Sequence, residues 1–238
     1  MGVLQFEKVL ASRGANGPCG HCAARRLVDP ALRARYDAAA PYWHRQMRRF
    51  DYPRAYTRLF AWLRDAGWLR SLDVGGRVLE CGIGTGVVSL ALARVAPVRE
   101  VVGVDIAPRM LRQAAANLAA ASITAELHCA DAHRLAQGDG SFDAAVTAHM
   151  LEHLACPREA IAEMARVLRP GAPLVIVMTR GGLADALVRL KWRHARIAGA
   201  QLIAWMRAVR LENIAAHDIG DALSPARWLS RVFVGRKS

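Results

Sequence analysis

Lysine is almost missing from this chain: Lys8, Lys191 and Lys237 are its only lysines in 238 residues. Arginine therefore carries nearly all of the 33 basic charges that stand against 20 acidic ones. Also missing is any apolar run near the roughly 18 residues that a membrane-spanning helix requires. No signal-peptide core follows Met1, and Phe6 stands where a myristoylation signal needs Ser or Thr. Cysteine is limited to five residues. These absences predict a soluble chain of a reducing compartment, that is, a cytoplasmic one.

The length suffices for one good core and does not force a second. The net charge of +13 has two readings. One is genomic drift toward arginine and alanine. The other is an acidic partner: nucleic acid, anionic lipid or a small anionic substrate.

Residues 1–30 have no consistent period and read as a partly irregular N-terminal extension. Within them, Cys19-Gly-His-Cys22 has the spacing of a thiol-redox motif or half a zinc site. A redox pair should open a helix after a strand, and a zinc site needs a second pair nearby. The sequence offers neither context.

Residues 31–69 read as helical, broken at Pro53, with Leu59, Phe60, Leu63 and Trp68 at helical spacing. Aromatic residues and arginines mix through Tyr42, Trp43, Arg45, Arg48, Arg49, Phe50, Tyr52, Arg54 and Tyr56. Such a mixture suits a membrane interface, where arginine meets anionic head groups and Trp and Tyr prefer the boundary. More often such a mixture belongs to a helical cap over an active site, and residues 31–70 are assigned to a cap.

Beyond Gly75-Gly76 the chain alternates. Strands are expected at 77–81, 100–105, 124–129, 142–147 and 174–178, with helices at 87–95, 108–121 and 157–168. Strands separated by helices form βαβ units and a parallel sheet. The expected fold class is therefore α/β, Rossmann-like, with helices on both faces, over residues 71–238. Ligands of such sheets bind beyond the carboxyl ends of the strands.

The stretch Val78-Leu-Glu-Cys-Gly-Ile-Gly-Thr-Gly86 reads as strand, tight loop and helix start. Its alternating glycines differ from the Gly-x-Gly-x-x-Gly of dinucleotide folds, and Glu80 would repel a pyrophosphate. A ligand bearing positive charge gains from that carboxylate instead. Asp105, at the end of strand two, can accept from both ribose hydroxyls. Asp131, after strand three, can accept from an adenine amino group, while Ile106 and Met110 offer surface for the adenine faces. Each aspartate also suits a simple cap or turn. Acidic residues at successive strand ends are harder to explain that way together.

The chain here resembles the class I S-adenosylmethionine-dependent methyltransferases. The resemblance rests on residues 78–86, on Val-Val-Gly-Val-Asp-Ile-Ala-Pro-Arg-Met-Leu at 101–111 and on Ala-Asp-Ala at 130–132. It continues through Gly-Ser-Phe-Asp-Ala-Ala-Val-Thr-Ala-His-Met-Leu-Glu-His-Leu at 140–154 and Ala-Arg-Val-Leu-Arg-Pro-Gly-Ala-Pro-Leu-Val at 165–175. It implies a seven-stranded, mostly parallel sheet with an antiparallel last strand, the sixth and seventh strands falling at 213–219 and 231–234, and helices within 183–209. It implies S-adenosyl-L-methionine as cofactor. Glu80, Gly82, Gly84, Thr85 and Gly86 would face its methionine part, Asp105 its ribose, and Asp131 with Ala132 its adenine. Tyr42 and Ala148 complete the implied contacts. Two departures are Glu at position 80 for the usual Asp and Ala172 for the second glycine of the usual Pro-Gly-Gly turn.

Methyl transfer depends largely on holding a nucleophile in line with the methyl group in a dry pocket. A base is needed when the acceptor starts protonated. His149 is the expected catalytic residue because histidine titrates near neutral pH. His149, Glu152 and His153 would share one face if their turn were helical, and the resemblance includes O-methyltransferases with a metal-holding Glu-x-x-Glu-His there. The replacement of the first Glu by His149 weakens that analogy, and no metal is assigned.

The expected function is methylation of oxygen or nitrogen on a small-molecule biosynthetic intermediate. The alternative moves the acceptor, a phospholipid or quinone precursor, to an anionic membrane that the protein contacts peripherally through 42–56 and the Arg- and Trp-rich 189–207. Nucleic-acid methylation ranks third, because Thr147-Ala-His-Met stands where base methylases place Asn/Asp-Pro-Pro-aromatic. A non-catalytic scaffold ranks last, against the intact acidic residues.

Overall fold

The computed structural model describes residues 29–180, 195–218 and 230–238. The Cys19–Cys22 motif, the first part of the 183–209 segment and Ile219 lie outside them. Among the described residues the elements run α1 (Pro30–Arg49), α2 (Tyr52–Asp65), β1 (Gly76–Cys81), α3 (Val87–Ala93), β2 (Val98–Asp105) and α4 (Pro108–Ala120). They continue with β3 (Ala125–Cys129), β4 (Ala144–Ala148), α5 (Pro157–Val167), β5 (Pro173–Thr179), α6 (Gly199–Ala208), β6 (Leu211–Asp218) and β7 (Ser230–Lys237).

The strands form one seven-stranded sheet in the order β3-β2-β1-β4-β5-β7-β6. Pairing is parallel from β3 to β5, and β7 runs antiparallel to both β5 and β6. Strand order reverses between β1 and β4, so a crevice opens beyond their carboxyl ends, where open α/β sheets take their ligands.

Alternation along each strand sorts side chains to two covered faces. Val78, Val146, Val175, Val177, Val232 and Val234 share one apolar cluster with α2 and α3. Leu79, Ala145, Leu174, Ile176 and Met178 share the other with Ile161 and Met164 of α5 and Leu202 and Met206 of α6. Burial on both faces explains why β5 reads as one unbroken apolar run.

The helices ahead of the sheet play unequal parts. Helix α2 drives Leu59, Phe60 and Leu63 into the sheet cluster, so this half of the expected cap is continuous with the core. Helix α1 meets α4 instead: Ala40 packs on Ala107 and Met110, and the Arg109 N–H donates to Asp37 Oδ1 at 2.8 Å. The break between them falls at Asp51, in the left-handed region at φ 58°, while Pro53 sits in the first turn of α2. Proline lacks the N–H that a first turn leaves unpaired, so that position accepts it. Strand β4 begins at Ala144 rather than 142, because Phe142 makes only an isolated bridge to Leu168.

Candidate cofactor and acceptor site

The glycine loop after β1 is fixed by backbone before any ligand arrives. The Gly82 and Ile83 N–H groups both donate to the Val104 carbonyl, at 2.7 and 3.1 Å. Gly82 has φ 72°, and a Cβ there would lie 2.8 Å from Met150 Cβ, so both conformation and space require glycine. Gly86, at φ 79°, is the N-cap of α3. The Asn117 side chain holds the Thr85 carbonyl at 2.9 Å.

Glu80 is buried, and its Oε2 accepts from the Ser89 N–H at 3.0 Å and from the Ser89 hydroxyl. Burial pushes its carboxyl up to about 8, against the pull of those two bonds and with a further push from Asp105. Asp105 ends β2 with Oδ2 on the Gly84 N–H at 2.8 Å and Oδ1 on the Ala107 N–H at 2.9 Å. Burial raises it, and those N–H bonds work the other way. Asp131 Oδ1 accepts from the His133 N–H at 2.9 Å and meets His133 Nδ1 at 2.5 Å. Burial alone would raise Asp131, but the bonds and charge of His133 hold it below its usual value.

These strand ends open into a cavity of about 430 Å3 lined by Glu80, Gly82, Gly84, Thr85, Asp105, Ile106, Met110, Asp131, Ala132, Ala148 and His149. Eleven of the expected site residues thus share one space. Gly86 is not in its wall, because its backbone turns the chain into α3. Tyr42 is not there either: it points into solvent, 64% exposed. The wall residue of α1 is its neighbour Trp43, whose Nε1 would be 3.8 Å from a Cβ on Gly84. Leu32, Tyr36, Trp43 and Met47 recur at helical spacing and line the cavity together, and that period was the available signal for Trp43 over Tyr42.

Much of the remaining cavity wall is aromatic. Tyr36, Phe50, Tyr52 and Tyr56 join His149 and His153 there. Tyr36 Oη lies 2.9 Å from His153 Nε2. His149 is not helical but left-handed, at φ 54°, and only Leu151–His153 form a single 3-10 turn. Its ring nitrogens meet Thr179 Oγ1 at 3.3 Å and Ser230 Oγ at 3.1 Å. Glu152 is buried, with Oε1 on the Thr179 N–H at 2.6 Å. Burial alone would raise Glu152; the hydrogen bond and charge of His149 and the Thr179 N–H outweigh it and hold it low. His149 and His153 therefore turn to different partners, and the shared face that a helical turn would give the triplet does not form.

The cavity suits a nucleoside that carries positive charge. Carboxylates share its wall with apolar Ile106, Met110 and Ala132, and the buried Thr85 hydroxyl has no hydrogen-bond partner among the described residues. Residues 78–171 match the family described as Methyltransferase domain. Over these residues the chain resembles a domain of the class I S-adenosylmethionine-dependent methyltransferases. The chain is 35% identical over 139 residues to the demethylmenaquinone methyltransferase of Deinococcus radiodurans, covering 55% of this chain and 58% of that one. It is 32% identical over 164 residues to a ubiquinone biosynthesis O-methyltransferase of Xanthomonas oryzae pv. oryzae, covering 66% and 62%. The chain thus spans about three-fifths of these relatives' length. The methyltransferase solved in complex with the Haloferax volcanii Trm112 methyltransferase activator shares the domain's fold, at TM-score 0.65, 19% identity and coverage of 87% and 97%.

Proposed function

We propose that this protein transfers a methyl group from S-adenosyl-L-methionine to an oxygen or nitrogen of a small biosynthetic intermediate. The observation that carries this reading is one cavity whose wall includes Glu80, Asp105 and Asp131 together with His149 and residues of α1 and α2. The cofactor supplies a methyl group on a cationic sulfur, an electrophile ready for in-line displacement. Glu80 attracts that charged end, Asp105 accepts from the ribose hydroxyls, and Asp131 with the Ala132 backbone recognises the adenine edge. Ile106 and Met110 cover the adenine faces, and Gly82, Gly84 and Thr85 admit the methionine part close to backbone. Tyr36, Trp43, Tyr52 and Tyr56 exclude water and orient the acceptor. His149 provides the basic group for an acceptor that arrives protonated.

Calorimetry with S-adenosylmethionine, followed by a metabolite screen for a mass gain of one methyl group, tests this reading. A chain that binds no cofactor would sink it.

A second reading places the same chemistry at a membrane surface. Its support is the outer side of α1, where Arg33, Arg45, Arg48 and Arg49 are exposed beside Tyr42 at 64% and Phe50 at 37%. Phe50 also lines the cavity, so the exposed face and the acceptor end adjoin. Arginine pairs with anionic head groups, and aromatic residues settle at the interface. Both curated relatives above are named for quinone substrates or pathways. Among the described residues no helix is long and apolar enough to cross a membrane, so contact would be peripheral. Sedimentation with phosphatidylglycerol vesicles should show binding that salt weakens and that Arg45→Glu with Arg48→Glu removes. No sedimentation at any salt would end this reading.

A further inference from the structure

His149 lines the cavity, yet neither of its ring nitrogens is left open to an acceptor. Nδ1 lies 3.3 Å from Thr179 Oγ1 and 3.9 Å from Glu152 Oε1. Nε2 lies 3.1 Å from Ser230 Oγ, on β7, and Ser230 Oγ lies 3.3 Å from the hydroxyl of Tyr52 on α2. Ser230 is completely buried and contributes nothing to the cavity wall, whereas Tyr52 lines that wall and meets the His149 ring edge-on at 5.8 Å. The ring is pinned from below as well: the His149 N–H donates to the Val177 carbonyl at 2.9 Å, in a left-handed backbone that a non-glycine residue keeps only when its surroundings impose it. Four elements far apart in sequence therefore build one line of polar atoms, from the cavity to a buried carboxylate.

We infer that Tyr52, Ser230 and His149 form a proton relay, through which the proton of a hydroxyl acceptor leaves the cavity and comes to rest on His149 Nε2. The inference deepens the methyltransferase reading and rests on it. The acceptor O–H bond breaks as its proton passes to Tyr52 Oη; the Tyr52 proton passes to Ser230 Oγ, and the Ser230 proton to Nε2. Each hydroxyl ends with the one proton it began with. The acceptor oxygen uses the freed electron pair to bond the methyl carbon as the carbon–sulfur bond breaks, and the positive charge lost from sulfur reappears on the imidazolium. Glu152, 3% exposed, supplies the buried counter-charge, and Thr179 braces it by donating its N–H to Oε1 at 2.6 Å. Burial holds Tyr52 as a phenol, with Glu152 adding to the effect against the Ser230 bond, so the proton passes through without resting there as phenolate.

This direction of transfer requires one tautomer, with the proton on Nδ1 and Nε2 accepting from Ser230. Nitrogen NMR of the full chain labelled at histidine and saturated with S-adenosylhomocysteine, at alkaline pH, reads that assignment directly. The expected spectrum shows a protonated Nδ1 and an Nε2 in the range of a hydrogen-bonded acceptor. Ser230→Ala should move Nε2 toward an unbonded acceptor and leave Nδ1 in place; it deletes one buried oxygen, so the fold should survive. A proton found on Nε2 in the unsubstituted chain, or an Nε2 signal indifferent to Ser230→Ala, would overturn the relay. Failure of S-adenosylhomocysteine to bind in calorimetry would instead overturn the methyltransferase reading beneath it. With a hydroxyl acceptor from the metabolite screen, Ser230→Ala should lower kcat by about 10²-fold with KM unchanged, and Tyr52→Phe, which also removes the hydroxyl that meets the acceptor, should lower kcat by a similar factor. A loss confined to KM would count against transfer through these hydroxyls.

Discussion

Asp105 Oδ2 accepts from the Gly84 N–H at 2.8 Å, so the carboxylate ending β2 also holds the loop that follows β1. Its second oxygen accepts from the Ala107 N–H at 2.9 Å, ahead of α4. Asp105→Ala therefore removes the acceptor proposed for the ribose and releases two loops at once. A hydrogen bond to a charged group is worth roughly 1.5–3 kcal/mol. The expected loss in cofactor affinity is about 10- to 150-fold by calorimetry. Unchanged affinity would remove Asp105 from the ribose site.

Glu80 gives a pH signature. Its carboxyl, ordinarily near 4.5, is pushed up to about 8 by burial. The fold thus holds this proton more tightly than the unfolded chain does. The stability it contributes is complete below 4.5 and is lost as pH rises through about 8. The melting temperature of the cofactor-free protein should fall across that window, and Glu80→Gln should flatten the slope. A cationic ligand favours the ionised carboxylate, so cofactor binding below pH 8 should release a proton, seen as a heat that varies with buffer ionisation enthalpy. The release should vanish in Glu80→Gln; its persistence there would assign the proton to another group.

Trp43 and Tyr42 are adjacent in sequence and opposite in prospect. Trp43 forms cavity wall above Gly84, while Tyr42 is 64% exposed. Trp43→Ala removes part of an aromatic worth roughly 1.5–3 kcal/mol when fully buried. Cofactor affinity should drop about tenfold, whereas Tyr42→Ala should leave it unchanged within about twofold. Equal losses from both variants would mean that α1 lies differently over the loop.

That pair also marks how far the sequence could be read. Strand interiors were legible because Val78 and Leu79, or Val175 and Ile176, must face opposite covered sides, and burial on both sides leaves an apolar run. The strand-end carboxylates were legible because βαβ order alone places Glu80, Asp105 and Asp131 at one edge. The acceptor end was not. Thr179 and Ser230 come from β5 and β7, which are antiparallel neighbours, and the Thr179–Ser230 register appears only once that pairing is known. His149 departs from the expected helical turn because its φ of 54° is imposed by tertiary contacts, not by local preference. Helix α2 packs Leu59, Phe60 and Leu63 on the sheet while its Tyr52 and Tyr56 line the cavity, a division that amphipathic spacing does not reveal, since it does not say which apolar surface a helix will meet.

Gly82 separates two costs that a glycine loop combines. Gly82 and Gly140 both hold positive φ, at 72° and 62°. A Cβ on Gly140 would meet nothing within 4 Å, but on Gly82 it would lie 2.8 Å from Met150 Cβ and 2.9 Å from Met150 Cγ. Gly140→Ala should therefore show only the left-handed penalty, roughly 1–2 kcal/mol in denaturant unfolding. Gly82→Ala adds overpacking of roughly 1–3 kcal/mol and should total about 2–5 kcal/mol. Met150→Ala in the Gly82→Ala background should recover only part, because the Met150 Cβ that clashes first remains. Gly82 also lines the cavity, so its variant should weaken cofactor binding, whereas Gly140→Ala, on the loop before β4, should not. Equal destabilisation by the two variants would show that the loop can move off Met150, and that close approach is not what keeps glycine at position 82.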